Sequence, residues 1–268
     1  MKKMMVLLVG WLLCITQLHT SSLSAYDGCA PCVPCGEECY FSIVPYVWTP
    51  WLEGSVTLKG TTAHVNTNIF DLIEESDSLA VFMLRNNYQA GCWGAYVDIL
   101  YCGLGFEKQP GLPDLTIDMD FDLVIGEFGG TYRLWQRPSE YDGSCCSTLD
   151  VLVGGRYTYY KVDFKVNDAD IIKQTIDWLD PIVGTRFIHR LAPCWDLLLE
   201  GDIGGFGAGS DFSWSALGAV RYNFCMGKRA LILGYRGLYQ DYKKGTESNR
   251  NAVHLTMHGP VIGLSFIF

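Results

Sequence analysis

Four cysteines close to the amino terminus have a spacing that permits two different chemistries. They stand as Cys29-x-x-Cys32-x-x-Cys35-x-x-x-Cys39, with prolines and a glycine between them that keep the segment irregular. Cys-x-x-Cys spacing suits zinc, but the same thiols form disulfides in an oxidising compartment. The chain has 11 cysteines among 268 residues. This number indicates an oxidising compartment and favours disulfides, either within the chain or to neighbouring proteins.

A second set of residues could support catalysis, as in a membrane-bound protease or lipase. Such an enzyme needs a nucleophile or a pair of carboxylates beside a histidine. The candidates are His64, His254, His258, Asp241, Ser210 and Asp211. Their spacing does not form a triad, and the sequence contains no Gly-rich phosphate loop between a strand and a helix. We therefore predict no enzymatic activity and no cofactor.

The segments that carry these residues alternate between apolar and polar side chains with a period of two. The pattern is clearest over 93–101, 149–159, 195–203 and 231–239, with aromatic residues at the segment borders. Alternation over about ten residues with bordering aromatics is typical of a transmembrane β-strand. Soluble β-sandwiches also alternate, but these strands are long and place arginine and tyrosine on the polar face. The pattern therefore favours a membrane barrel with a polar lumen.

We count ten long strands, although eight or twelve remain compatible with the pattern. They cover about 40–50, 78–90, 92–105, 116–136, 148–165, 177–190, 194–205, 211–225, 229–243 and 253–268. Short and long connections mostly alternate, as they do in outer-membrane barrels. Within the long connection 51–77 we expect a small hairpin over 54–65 and a short helix over 69–76 capped by Asn68. The prediction is an all-β fold: a transmembrane antiparallel up-and-down β-barrel whose helix lies in an outer loop or in the lumen.

Strand parity directs eleven charged side chains into the lumen. They are Arg85, Asp98, Glu127, Arg133, Arg156, Arg186, Asp196, Glu200, Asp202, Arg221 and Arg236. Buried charges need partners of opposite sign, so one interpretation is a structural network that fills the barrel. The other is a narrow channel in which these charges set ion preference.

The cysteines segregate towards one end of the predicted barrel. The disulfide candidates at that end are Cys29, Cys32, Cys35, Cys39, Cys92, Cys145, Cys146, Cys194 and Cys225. Cys102 is predicted towards the opposite end. Because the strand assignment did not use the cysteine positions, this grouping supports the predicted topology.

The amino terminus has the organisation of a secretory signal. Lys2 and Lys3 precede an apolar stretch over 4–15 and a small-residue stretch that ends at Ala25. We expect a signal peptide at 1–25, a cysteine-rich periplasmic tail at 26–39 and the barrel at 40–268. The formal net charge of −9 argues against a nucleic-acid partner, because such partners require neutralisation of phosphates.

The carboxyl-terminal segment alternates up to its last residue. Ile262, Leu264, Phe266 and Phe268 share one face. A final alternating strand with a terminal phenylalanine is similar to the signal that the outer-membrane barrel assembly machinery reads. The expected environment is outer-membrane lipid, with both termini in the periplasm of a Gram-negative cell.

Several motifs resemble a widespread and mostly uncharacterised family of Gram-negative outer-membrane β-barrel proteins. The similar segments are Pro45–Trp48, Leu52–Gly54, Phe70–Ile73, Asp180–Gly184, Gly201–Gly207, Gly209–Phe212, Gly234–Arg236, Asp241–Tyr242 and Gly259–Pro260. The glycine-rich block at 201–211 is the most specific part. The resemblance implies a barrel in the outer membrane and implies no substrate. The cysteines depart from the family pattern.

These observations predict a structural outer-membrane barrel that disulfides tie to other cysteine-rich envelope proteins. A narrow porin-like pore is compatible with the predicted lumen. A channel for small solutes is the main alternative, and a barrel protease or lipase is a more distant one.

Overall fold

The computed structural model describes residues 39–108, 117–138, 145–166, 169–192, 194–224, 228–246 and 249–268. Side chains at 108, 117, 138, 145–146, 166 and 169–172 lie outside that description. Within the described ranges the chain forms a closed antiparallel β-barrel of ten strands, with an added two-stranded hairpin and one short helix. The predicted fold class is confirmed. In the described segments no helix is both long and apolar enough to cross a membrane.

Twelve strands and helix α1 follow one another along the described chain. They are β1 (Cys39–Trp48), β2 (Trp51–Leu58), β3 (Thr61–Asn68), α1 (Ile69–Glu75), β4 (Ser78–Ala90), β5 (Trp93–Lys108), β6 (Ile117–Pro138), β7 (Cys145–Val166), β8 (Ala169–Ala192), β9 (Trp195–Gly204), β10 (Phe212–Phe224), β11 (Arg229–Lys244) and β12 (Asn251–Ile267).

Sequential antiparallel pairing builds the wall from β4 to β12, and β1 closes it between β4 and β12. Closure runs from Ser42 opposite Ile267 to Trp48 opposite Val261. Phe41 and Phe268 exchange two backbone hydrogen bonds of 3.2 and 2.9 Å. The start of β1 and the end of β12 therefore lie together at one end of the barrel, which we call the terminal end. The opposite end is called the far end.

The hairpin of β2 and β3 is a continuation of the wall rather than a free loop. Because Pro50 has no N–H, it interrupts the first strand after Trp48, and β2 then pairs with the far-end half of β12. Lys59 and Gly60 turn the hairpin with φ of 47° and 81°, as a type I′ turn requires. The hairpin expected over 54–65 is present, but it extends over 51–68.

Helix α1 has the predicted cap. The side chain of Asn68 accepts a 2.8 Å hydrogen bond from the backbone N–H of Asp71, which satisfies one of the unpaired donors of the first turn. Ile69, Leu72 and Ile73 are partly buried against the hydrophobic cluster inside the barrel. The helix therefore packs against the interior at the far end.

Several strands are longer than the sequence indicated, above all β7 and β8. β5 continues to Lys108, and β7 and β8 pair from Val166 opposite Ala169. The expected loop at 137–147 is shorter, because β6 runs to Pro138 and β7 starts at Cys145. Polar residues on these extensions break the apolar alternation, although the backbone continues the ladder.

The outward face of the wall is a band of exposed apolar side chains. Val153 is 60% exposed and Leu199 is 44% exposed. Aromatic pairs border this band near the terminal end. The ring centroids of Trp93 and Tyr132 lie 4.7 Å apart, and those of Trp195 and Tyr222 lie 4.9 Å apart. An apolar band between aromatic borders is the outer surface of a membrane barrel.

Candidate functional site

The charged side chains of the wall meet inside the barrel. Hydrogen bonds join strands that are not neighbours in the sheet, such as Arg85 on β4 to Glu200 on β9 at 2.8 and 3.0 Å. Arg236 on β11 likewise reaches Glu127 on β6 at 2.8 Å. Side chains from distant strands can touch only across the lumen, so these groups point inward.

Six residues form what we call the central layer, which crosses the lumen at mid-height. They are Tyr46, Asp98, Glu127, Arg156, Asp202 and Arg236. The guanidinium of Arg156 is completely buried and donates to Glu127 at 2.9 Å and to Asp202 at 2.6 Å. A charge with no access to water is stable only with such partners. The layer is therefore held by the mutual contacts of its members.

The second half of the central layer surrounds Arg236. This guanidinium shares Glu127 with Arg156 and lies 3.5 Å from Asp98. The hydroxyl of Tyr46 donates to Asp98 at 2.8 Å, and the ring of Trp48 lies 5.2 Å from the guanidinium carbon. The ring limits the space around the cation and adds a cation–π contact.

On the terminal-end side of this layer, one carboxylate serves two arginines at each of two positions. Glu200 accepts both terminal nitrogens of Arg85 and also the Nε of Arg186. Asp196 accepts from Arg221 at 2.6 Å and from Arg190 at 3.2 Å. Among the described residues, each of these two groups therefore joins two arginines to one shared carboxylate.

All eleven charged residues singled out in the sequence lie in or beside these groups. Arg133 pairs with Asp150 at 2.8 Å, nearer the terminal end. Three further residues, Asp150, Arg190 and Tyr46, belong to these groups without having been predicted, although each lies at a position of inward parity. Their parity alone could have identified them.

The far-end half of the lumen is filled by a cluster that we call the apolar plug. Its members include the stacked rings of Trp178 and Tyr242, whose centroids are 4.4 Å apart, with Leu238, Val253 and Met257, which have no exposed surface. Close-packed apolar side chains leave few voids as large as a water molecule. The plug therefore occupies the described lumen on the far-end side of the central layer.

A buried carboxylate fastens the glycine-rich loop to the wall beside the plug. Asp180 accepts from the backbone N–H of Ser210 at 2.6 Å, from its hydroxyl at 2.8 Å and from the indole of Trp178 at 3.1 Å. A side chain at Gly209 would collide with the carbonyl oxygen of Leu179. Two of the most distinctive motifs of the sequence, 180–184 and 201–211, therefore meet in one contact.

On the other side of the central layer the lumen contains a cavity of about 340 Å³, which we call the vestibule. It extends from Asp98 and Arg236 to Tyr40 and Lys228 near the strand ends. Among the described residues its basic lining groups are Arg85, Arg133, Arg186, Arg190, Arg221, Lys228 and Arg236. Its acidic lining groups are Asp98, Asp196 and Glu200.

The candidate catalytic residues do not assemble into one site. His254 lies 3.1 Å from Asp241, whereas His258 contacts the hydroxyl of Tyr235 on the outward face at 2.6 Å. The hydroxyl of Ser210 is bonded to Asp180 and not to a histidine. The described side chains also contain no cluster of histidine, cysteine or acidic groups that could hold a metal ion.

The cysteines within the described ranges lie as the topology placed them. Cys39 begins β1 at the terminal end, and its side chain is exposed. Cys92, Cys145, Cys146 and Cys194 occupy strand ends or turns at the same end. Cys194 is disulfide-bonded.

Cys102 differs from the other described cysteines in its position. Cys102 is buried in the apolar plug. Cys29, Cys32, Cys35 and Cys225, and the whole of the segment 1–38, lie outside the described residues.

The four residues of the carboxyl-terminal pattern lie on β12 and at its end. Ile262 is 51% exposed and Phe268 is 75% exposed, and Leu264 and Phe266 are half-buried. The face is therefore available on the outer wall. Its recognition by assembly machinery stays a prediction.

No protein-family model and no curated protein matches the chain. Several solved structures resemble it. Ail, the attachment invasion locus protein of Yersinia pestis, is 13% identical, with 87% of this chain and 100% of that chain covered and a TM-score of 0.37. The translocator domain of the autotransporter NalP from Neisseria meningitidis is 12% identical, with 84% and 88% covered and a TM-score of 0.41. The toluene transporter TodX of Pseudomonas putida is 9% identical, with 85% and 88% covered and a TM-score of 0.26. At these values the similarities carry no argument about activity, which has to be derived from the residues of this chain.

Proposed function

We propose that this chain is a structural β-barrel of the Gram-negative outer membrane with a closed lumen. The observation that carries the proposal is the completely buried Arg156, which bridges Glu127 and Asp202 across the barrel. The apolar plug fills the lumen beyond it. A solute would have to break several buried ion pairs and then displace packed aromatic rings.

The outward face supports a membrane location. Its exposed valines, leucines and isoleucines need an apolar solvent, because contiguous apolar surface of this extent is rare on soluble monomers. Closed barrels satisfy every backbone hydrogen bond within the wall, as a lipid environment requires. Short turns at the terminal end, together with the expected signal peptide, support the assignment of that end to the periplasm.

The deletion phenotype of the gene tests the structural role. Loss of a structural barrel is expected to make cells more sensitive to detergent and to large antibiotics, while uptake of small solutes stays unchanged. Restoration by the wild-type gene completes the test. Slower solute uptake in an intact envelope would instead indicate a channel, which is the second function foreseen from the sequence.

Attachment to other envelope proteins is the second part of the proposal. The exposed Cys39 lies at the terminal end, next to the expected cysteine-rich tail, and the periplasm permits disulfide formation. We expect high-mass species on a non-reducing gel that disappear when Cys29, Cys32, Cys35 and Cys39 are all changed to serine. Cys102→Ser is the matched control, because this thiol is buried in the plug.

Two outcomes contradict the attachment. The high-mass species could persist in the fourfold variant, or they could be lost equally in Cys102→Ser. Either result would leave the closed barrel without its proposed tether.

A further inference from the structure

We propose that the vestibule is a binding site for a small multivalent oxyanion that carries phosphoryl or carboxylate groups. This goes beyond the structural role, because a site that ends at the central layer can bind a ligand without conducting it. The proposal rests on the charge of the lining, on unused donors and on the size of the cavity.

The lining is basic in a chain that is acidic as a whole. Among the described residues seven basic side chains face the vestibule against three acidic ones. Two further acids lie behind the lining: Glu127 pairs with Arg236, and Asp150 pairs with Arg133. With these two included, the acidic side chains number five. The basic side chains still outnumber the acidic ones, whereas the chain as a whole has a net charge of −9. A cleft of one sign with low-dielectric walls concentrates ions of the other sign.

Donors remain available after the ion pairs have formed. Arg186 donates its Nε to Glu200, and its Nη2 is buried without a hydrogen-bond partner. Arg221 uses Nε and Nη2 on a single oxygen of Asp196, and its side chain is 23% exposed. Guanidinium groups present several N–H donors in one plane and recognise phosphate and carboxylate in pairs.

The dimensions and the access fit a small ligand. A volume of about 340 Å³ lies at the lower end of the range of small-molecule pockets. Lys228 is exposed at the turn into β11, where it lines the mouth of the vestibule. Water reaches the side chains of Arg85 and Arg186, which keep 14% and 12% of their surface exposed.

The experiment is calorimetric titration of the folded mature chain in detergent, with pyrophosphate and citrate as separate probes. At low ionic strength we expect saturable binding that weakens with added salt. Stronger binding of pyrophosphate would identify a phosphoryl ligand, and stronger binding of citrate a carboxylate ligand; either result supports the site.

Two variants locate the binding. Arg221→Gln and Lys228→Gln are each expected to weaken it at least tenfold, and both residues keep enough exposure for the barrel to fold without them. Arg229→Gln is the matched control: it removes the same charge at the same end of the barrel, but its parity on β11 is outward. Absence of saturable binding in the wild type, or an equal loss in Arg229→Gln, would overturn the proposal.

Discussion

At the scale of single residues, the interior is stable because its carboxylates are shared among arginines. Glu127 accepts from both Arg156 and Arg236, and Asp202 accepts from Arg156. Removal of Arg156 therefore leaves Asp202 without the arginine that it pairs with, while Glu127 keeps Arg236. Buried charges without partners are among the most costly changes that a protein can undergo.

The substitution Arg156→Met tests this arrangement. We expect it to lower the free energy of unfolding by about 3–5 kcal/mol, because Asp202 loses its ion pair in a water-free environment. Urea titration in lipid vesicles, followed by tryptophan fluorescence, measures the change. Arg221→Met is the comparison and should have a smaller effect, because the side chain of Arg221 is 23% exposed and Asp196 keeps its contact with Arg190. Equal effects of the two changes would contradict the central layer as the main structural contact.

Parity in the sequence was enough to place eleven charges inside the barrel, but it could not assign their partners. Alternation states which side of the wall a residue occupies and carries no information about the height of residues on distant strands. Arg85 and Glu200 are 115 positions apart, and only the tilt and closure of the sheet bring them together.

At the scale of elements, a buried carboxylate helps to hold the loop between β9 and β10 against the wall. Asp180 satisfies the backbone N–H and the hydroxyl of Ser210 at once. The repeated glycines of this segment indicate a tight loop, but the sequence does not indicate that an acid on β8 holds it. The pairing was missed because no local pattern links positions 30 residues apart.

The substitution Asp180→Ala is expected to loosen this loop. The buried donors of Ser210 and Trp178 lose their acceptor, which should lower stability by about 1–3 kcal/mol. Faster hydrogen exchange at the amide of Ser210 is the direct readout. Asp211→Ala serves as control, because its carboxylate is exposed on the same loop. Unchanged exchange in Asp180→Ala would show that the contact is dispensable.

Lysine substitutions on the outward face of the strands test the assignment of the inner and outer faces. Lysine at Val153 or at Leu199 should lower the free energy of unfolding in a bilayer by about 2–4 kcal/mol, because both side chains would face lipid near its midplane. Thr61→Lys, at the exposed start of β3, should have almost no effect. The same urea titration compares the three variants. Similar values for all of them would invalidate the assignment of inner and outer faces.

At the scale of the whole molecule, the two ends of the lumen differ in chemistry. The far-end half is filled by hydrophobic and aromatic side chains, and the terminal-end half is a basic cavity bounded by the central layer. The sequence predicted a barrel of this size and left open whether its lumen conducts. That question depends on how side chains from all ten strands pack together, which no single segment contains.

Single-channel conductance of the purified, refolded protein in a planar bilayer tests the closed lumen most directly. Insertion should be verified on the same sample by resistance of the barrel to protease. A closed lumen predicts a silent bilayer for the wild type over the voltage range in which the membrane itself is stable. Stable, discrete current steps from the inserted wild-type protein would contradict it, and would make the inward arginines and carboxylates the walls of a pore.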